Sequence, residues 1–123
     1  MNHTRPKNLN LFTIRFPISA IISILHRVSG VILFLLIPVV IGCLSFSLTE
    51  PGFENLQGWL TNPLAKFIFW ILLAPFCYHL VAGIRHLLMD AHIGTSKRGG
   101  RLSSILTLII SILLVILAGV WLW

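Results

Sequence analysis

Acidic residues are scarce in this sequence: three Asp and Glu stand against nine Lys and Arg, and charged residues make up only 10% of the 123 positions. A soluble domain is typically about 25% charged. With 57% hydrophobic residues, this chain does not suit that class. Cysteine is also rare. Cys43 and Cys77 each lie inside an apolar run and form no metal-binding spacing, so they read as small buried hydrophobes. Internal repeats and low-complexity segments are absent. The head of the chain lacks the short apolar core and small-residue cleavage site of a signal peptide, and it lacks the Arg- and Ser-rich composition of a transit peptide. The first apolar segment is therefore expected to stay, inserted directly into a bacterial inner membrane.

What is abundant is apolar sequence, with a mean hydropathy of +0.97. Three uncharged runs reach spanning length: Val28 to Thr49, Phe67 to Ile84 with its continuation past Arg85, and Leu102 to Trp123. Each approaches the ~20 residues that cross ~30 Å of hydrocarbon. The fold class expected is an all-α membrane protein of one domain, residues 1–123. It has an N-terminal segment at 1–17 and transmembrane helices at about 18–46, 64–89 and 102–123. Three such helices bury little against one another, so a partner is expected.

The net charge of +6 could suggest nucleic acid, but the basic residues bracket the apolar runs and form no single patch. Arg5, Lys7, Arg15, Arg27, Arg85, Lys97, Arg98 and Arg101 fall on one side of the layout, and Lys66 falls on the other beside Glu50 and Glu54. By the positive-inside rule this puts the N-terminus and the second loop in the cytoplasm and the C-terminus in the periplasm.

In chain order, Pro17 suits the first turn of helix one, and Ser19, Ser23, His26, Arg27 and Ser29 interrupt that helix's first apolar turns. Ser23, His26 and Arg27 are spaced i, i+3, i+4 and are expected to share one helical face. Pro38 predicts a kink. The outer loop carries a short interfacial helix near Phe53 to Leu60, anchored by Trp59. Pro63 opens helix two, and Pro75, four residues before His79, would aim that histidine. His92 to Ser103 reads as a polar basic loop, and helix three ends in Trp121 and Trp123 as an interfacial belt.

The chain is organised around Tyr78 to Asp90 at the inner end of helix two. Ionisable side chains at membrane depth are costly and mark function by default. At roughly 100° per residue, His79, Gly83, His86 and Asp90 fall within about 60° of one another, with Ala82 at the edge of that stripe. Helix one enters from the side to which helix two returns, so Ser23, His26 and Arg27 meet this stripe at the same depth. Such a cavity suits a b-type haem: His79 offers an axial imidazole, Ala82 and Gly83 leave room for a flat macrocycle, and Arg27, His26, His86 and Arg85 lie where propionates emerge. A quinone headgroup also fits, with Ser23 donating to a carbonyl and Arg27 stabilising negative charge on partial reduction.

Each residue has a plainer reading. His79 can hydrogen-bond a neighbouring helix as a neutral imidazole, His86 and His92 can be solvated, Arg27 can snorkel to the interface, and Ser23 can bond its own helix carbonyl.

At Arg5-Pro6-Lys7-Asn8-Leu9, Thr13-Ile14-Arg15-Phe16-Pro17-Ile18, Ser23-Ile24-Leu25-His26-Arg27-Val28-Ser29-Gly30 and Tyr78-His79 followed by Gly83-Ile84-Arg85-His86 and Asp90, the sequence resembles the cytochrome b membrane-anchor subunits of bacterial succinate dehydrogenase. The resemblance implies a complex with a flavoprotein carrying FAD, an iron-sulfur protein carrying its clusters, and a second three-helix anchor that shares one haem b with this chain. It implies His79 as one axial ligand to the haem iron, with the other from the second anchor. It also implies His26, Arg27, Gly83 and His86 around the haem and its propionates, and Ser23, Ile24 and Arg27 at the site of ubiquinone reduction. Two other readings are a haem-free anchor that only docks a soluble enzyme, and a small transporter-like accessory subunit whose inner cluster forms an ion path.

Overall fold

The computed structural model describes residue 10 and residues 12–123. The Arg5 to Leu9 stretch, with the Arg5 and Lys7 charges counted toward topology, lies outside the described residues. Four helices follow in order: α1 (Ile18–Ser47), α2 (Glu50–Trp59), α3 (Pro63–Asp90) and α4 (Lys97–Leu122). Three of them, α1, α3 and α4, are long and apolar enough to cross a membrane. Short α2 caps the turn between the first two.

Local sequence accounts for where each helix begins. Pro17 is the N-cap of α1, one position earlier than the first-turn place expected for it, and its extended backbone lets its carbonyl accept from Ala20 at 2.9 Å. The Thr49 hydroxyl caps α2 by accepting from Gly52 N, and a Cβ on Gly52 would collide with the Phe46 carbonyl. Helix α2 thus starts at Glu50, three residues before the stretch expected, and Trp59 stacks on Phe46 at 6.2 Å. Asn62 caps α3 through Leu64 N at 2.9 Å, with Pro63 in the first turn.

The end of α3 gives His92 a role that has nothing to do with chemistry. His92 sits at φ 61°, its N–H returns to Met89 O, and the Ile93 N–H returns to Leu88 O at 2.9 Å. That is a left-handed helix stop, in which histidine is one of the more tolerant residues. Four residues after His92, the Ser96 hydroxyl caps α4 by accepting from Gly99 N. The helix therefore begins at Lys97, and much of the stretch that reads as a polar loop to Ser103 is its first turns. Three basic residues there oppose the helix dipole, which is why the sequence pattern resembles a loop.

Helix α3 packs on both α1 and α4, and α1 and α4 touch less. What these contacts bury is mostly polar or small. The buried set is Ile22, Cys77 and Ala82 with Ser29, Arg85, Ser104, Thr107 and Ser111, while large apolar side chains such as Phe34, Leu35 and Leu87 stand outward. Such an arrangement suits helices in lipid, where small and polar residues mediate close packing and apolar ones face the acyl chains.

Candidate functional site

The polar interior is split between the two faces of α3. On the α1 side, Ile22, His26 and Ser29 recur at i, i+4, i+7 and turn inward against His79 and Gly83. His26 lies eight residues after the start of α1 and His79 eleven before the end of α3. At 1.5 Å per residue that is about 12 Å and about 16 Å along the respective helices, so the two polar clusters meet.

They meet as a stack of imidazoles. The His26 and His79 rings lie 4.1 Å apart and 15° from parallel, and His86 tilts against His26 at 4.9 Å and 49°. His79 Nδ1 is 2.9 Å from Ser29 Oγ and 3.2 Å from the His26 carbonyl, while its Nε2 makes no hydrogen bond among the described residues. The Ser29 hydroxyl donates to that same carbonyl at 2.8 Å. Two glycines make the approach possible: a Cβ at Gly30 would lie 3.1 Å from His79 Cε1, and one at Gly83 would lie 3.4 Å from His26 Nε2. His26 Nε2 is buried without a hydrogen-bond partner among the described residues. Tyr78 braces the pair, its hydroxyl donating to the Ile22 carbonyl at 2.8 Å.

The outward flank of α1 behaves differently. Ser23 is half-buried, Ile24 and Arg27 are exposed, and neither Ser23 nor Arg27 makes a side-chain hydrogen bond among the described residues. Ser23 therefore does not form the bond to its own helix carbonyl that Ser29, Ser104 and Thr107 all make. The expectation that Ser23, His26 and Arg27 share one face needs dividing: His26 turns in to α3, and Arg27 turns out. An unpaired guanidinium nine residues into a spanning helix is costly unless something else meets it.

The expectation for Arg85 is corrected outright. Expected near the imidazoles, it is 5% exposed and points to α4, its Nε donating to Ser103 Oγ at 3.0 Å and its Nη2 to the Gly100 carbonyl at 3.3 Å. Two residues that the sequence does not single out for this site, Ser29 and Gly30, contact His79 directly. The heptad-like spacing of Ile22, His26 and Ser29 is the signal that could have found Ser29.

Two clefts open on the helix surfaces, one of about 730 Å³ near Pro17, Met89, Lys97 and Arg101, the other of about 410 Å³ near Trp70, Tyr78, Ser111 and Val115. Neither includes His26, His79, Ser23 or Arg27.

Comparison with known proteins agrees with this architecture. Residues 1–118 match the family described as succinate dehydrogenase/fumarate reductase transmembrane subunit. The chain is 41% identical to the succinate dehydrogenase cytochrome b556 subunit of Coxiella burnetii over an alignment of 125 positions covering 100% of both. It is 32% identical to the protein of that name from Rickettsia typhi, covering 94% of this chain and 91% of the relative. To that from Paracoccus denitrificans it is 35% identical, covering 73% and 70%. With its three apolar helices, it is a multi-pass protein of the bacterial inner membrane. The chain belongs to the succinate dehydrogenase/fumarate reductase transmembrane-subunit family, as a membrane subunit of an oxidoreductase complex.

Proposed function

We propose that this chain is one of two three-helix anchors that hold a b-type haem between them, dock the flavoprotein and iron-sulfur subunits, and form part of the site where ubiquinone is reduced. The observation that carries the reading is His79: an imidazole at membrane depth whose Nδ1 is engaged by α1 and whose Nε2 is not hydrogen-bonded among the described residues. Neutral imidazole is a common axial ligand of haem iron. The donor set fits the group. His26, seated against Gly83, and His86 line the approach beside His79, and exposed Arg27 would supply a forked donor for a propionate. The second anchor would hold the group from its other side. Bound there, the haem would supply one-electron redox capacity near the quinone.

The chain's own groups act by position and charge. Ser23, with its hydroxyl uncommitted, donates to a quinone carbonyl; Arg27 on the next turn stabilises negative charge that builds on that oxygen; exposed Ile24 gives the ring an apolar edge. In this reading the N-terminus and the α3–α4 connection are cytoplasmic and the C-terminus periplasmic, which the eight basic residues against Lys66 alone support. The experiment is an absorption spectrum of the purified membrane complex together with succinate-dependent quinone reduction. A reducible b-type Soret and alpha band that disappears in His79→Ala is expected. A complex that copurifies and reduces quinone with no such bands would sink the haem assignment.

A further inference from the structure

We propose that Ser29 is a positioning residue: its hydroxyl oxygen, together with the His26 carbonyl, keeps the ring proton of His79 on Nδ1 and so leaves the Nε2 lone pair for iron. The inference rests on His79 being the axial ligand.

The proton assignment follows from the bonding capacity of three atoms. His79 Nδ1 is 3.2 Å from the His26 carbonyl oxygen, which can only accept. An unprotonated Nδ1 would set a lone pair against that oxygen. The Ser29 hydroxyl has one proton, and it already donates to the same carbonyl at 2.8 Å. Its lone pairs are then what faces Nδ1 at 2.9 Å. One tautomer satisfies every contact: Nδ1–H is shared by Ser29 Oγ and the His26 carbonyl, and Nε2 carries no proton. The opposite tautomer needs the Ser29 proton to leave the carbonyl, and it turns Nε2 into a donor that cannot ligate.

The surroundings make the choice count. Ser29 is 4% exposed, so little water competes for the network. The His26 ring lies flat on one face of His79, and Gly30 admits Cε1 to a distance that any side chain would crowd. The ring is thus fixed at its edge and on its face. An acceptor on the far nitrogen of a ligating histidine also raises the ligand's basicity. That favours the oxidised iron and lowers the midpoint potential.

The test is redox potentiometry of the haem, with electron paramagnetic resonance of its ferric state, in the complete membrane complex carrying Ser29→Ala, Ser29→Thr or His79→Ala. Ser29→Ala is expected to raise the midpoint potential and move the low-spin ferric signal, and Ser29→Thr, which restores a hydroxyl, to return both toward the parent. A Ser29→Ala complex with the parent's potential and signal overturns the proposal, even where His79→Ala has lost its haem. Should Ser29→Ala retain no haem, Ser29→Thr decides: retention with the parent's signal supports the hydroxyl's role, and loss in both overturns it. Unchanged haem in His79→Ala removes the ligand assignment beneath it, a failure distinguishable from that of Ser29 alone.

Discussion

On its α4 side, α3 presents Arg85, whose guanidinium is bonded to Ser103 and Gly100 and almost fully enclosed. On its α1 side, α3 presents His79 and His86 around His26, with His26 Nε2 buried and unbonded among the described residues and Arg27 exposed on the flank. Both faces bury polar groups at similar depth. They differ in completion. The Gly100 carbonyl accepts from Arg85, Ser103 and Ser104 together, so the polar groups at the Arg85 end of the α4 face are all bonded. The α1 face leaves ring nitrogens and a cation without hydrogen-bond partners among the described residues, as expected of a surface completed by other molecules.

The largest effect that would test this contrast is at His79. His79→Ala should remove nearly all haem from the complex, read as loss of the reduced-minus-oxidised b-type difference spectrum, because it deletes the imidazole whose Nδ1 is held by α1 and whose Nε2 is not hydrogen-bonded among the described residues. Retained spectrum would mean that the unfinished face is unfinished for another reason. Next come Ser23→Ala and Arg27→Ala. Loss of one hydrogen bond to a group that gains charge costs about 1.5 to 3 kcal/mol, or roughly 10- to 100-fold in quinone reduction. Haem content should hold in Ser23→Ala, and parent kinetics in both variants would take the quinone away from this flank.

Arg85→Ala is the matching perturbation on the α4 face. It removes two hydrogen bonds but leaves the Gly100 carbonyl with Ser103 and Ser104 as donors and the Ser103 hydroxyl still donating, so neither group loses every bond. Interhelical hydrogen bonds in membrane proteins average about 0.6 and reach about 1.7 kcal/mol, giving an expected loss of about 1 to 3 kcal/mol in the stability of the solubilised complex. The haem spectrum should not change. A spectral shift in Arg85→Ala would couple two faces that the hydrogen bonds keep apart.

How much of this division the sequence carries depends on the residue. His79 stands out because ionisable groups inside an apolar run are costly, and His86 because seven residues bring a helix back to nearly the same face. Arg85 is harder: six residues set it about 120° from His79, so its depth suggests the imidazole cluster while its direction leads away from it. Ser29 reads as an interruption of an apolar run, since a small hydroxyl gives no sign of which helix it will meet. The start of α4 is hidden by Lys97, Arg98 and Arg101, which look like loop until the Ser96 cap is seen. The outward flank of α1 is visible only as charge.

The smallest effect concerns the other buried polar atom that lacks a partner among the described residues, Ser111 Oγ on α4. It is 4% exposed beside an apolar cleft lined by Trp70, Ala74, Leu108 and Ile112. The residues lining that cleft include no imidazole and no cation. A buried hydroxyl without a bond carries a desolvation cost and contributes little in return, so Ser111→Ala should be neutral or stabilising by no more than about 1 kcal/mol. His26→Ala removes the equivalent atom on the α1 face and should instead alter the haem signal, since it strips the ring stacked on His79. The pair separates two meanings of an unpartnered atom: tolerated imperfection on one interface, and a place reserved for something else on the other. Equal thermal stabilities with a changed spectrum only in His26→Ala would sharpen that distinction. A haem or quinone phenotype in Ser111→Ala would break it, because the α4 face would then also take part in the site.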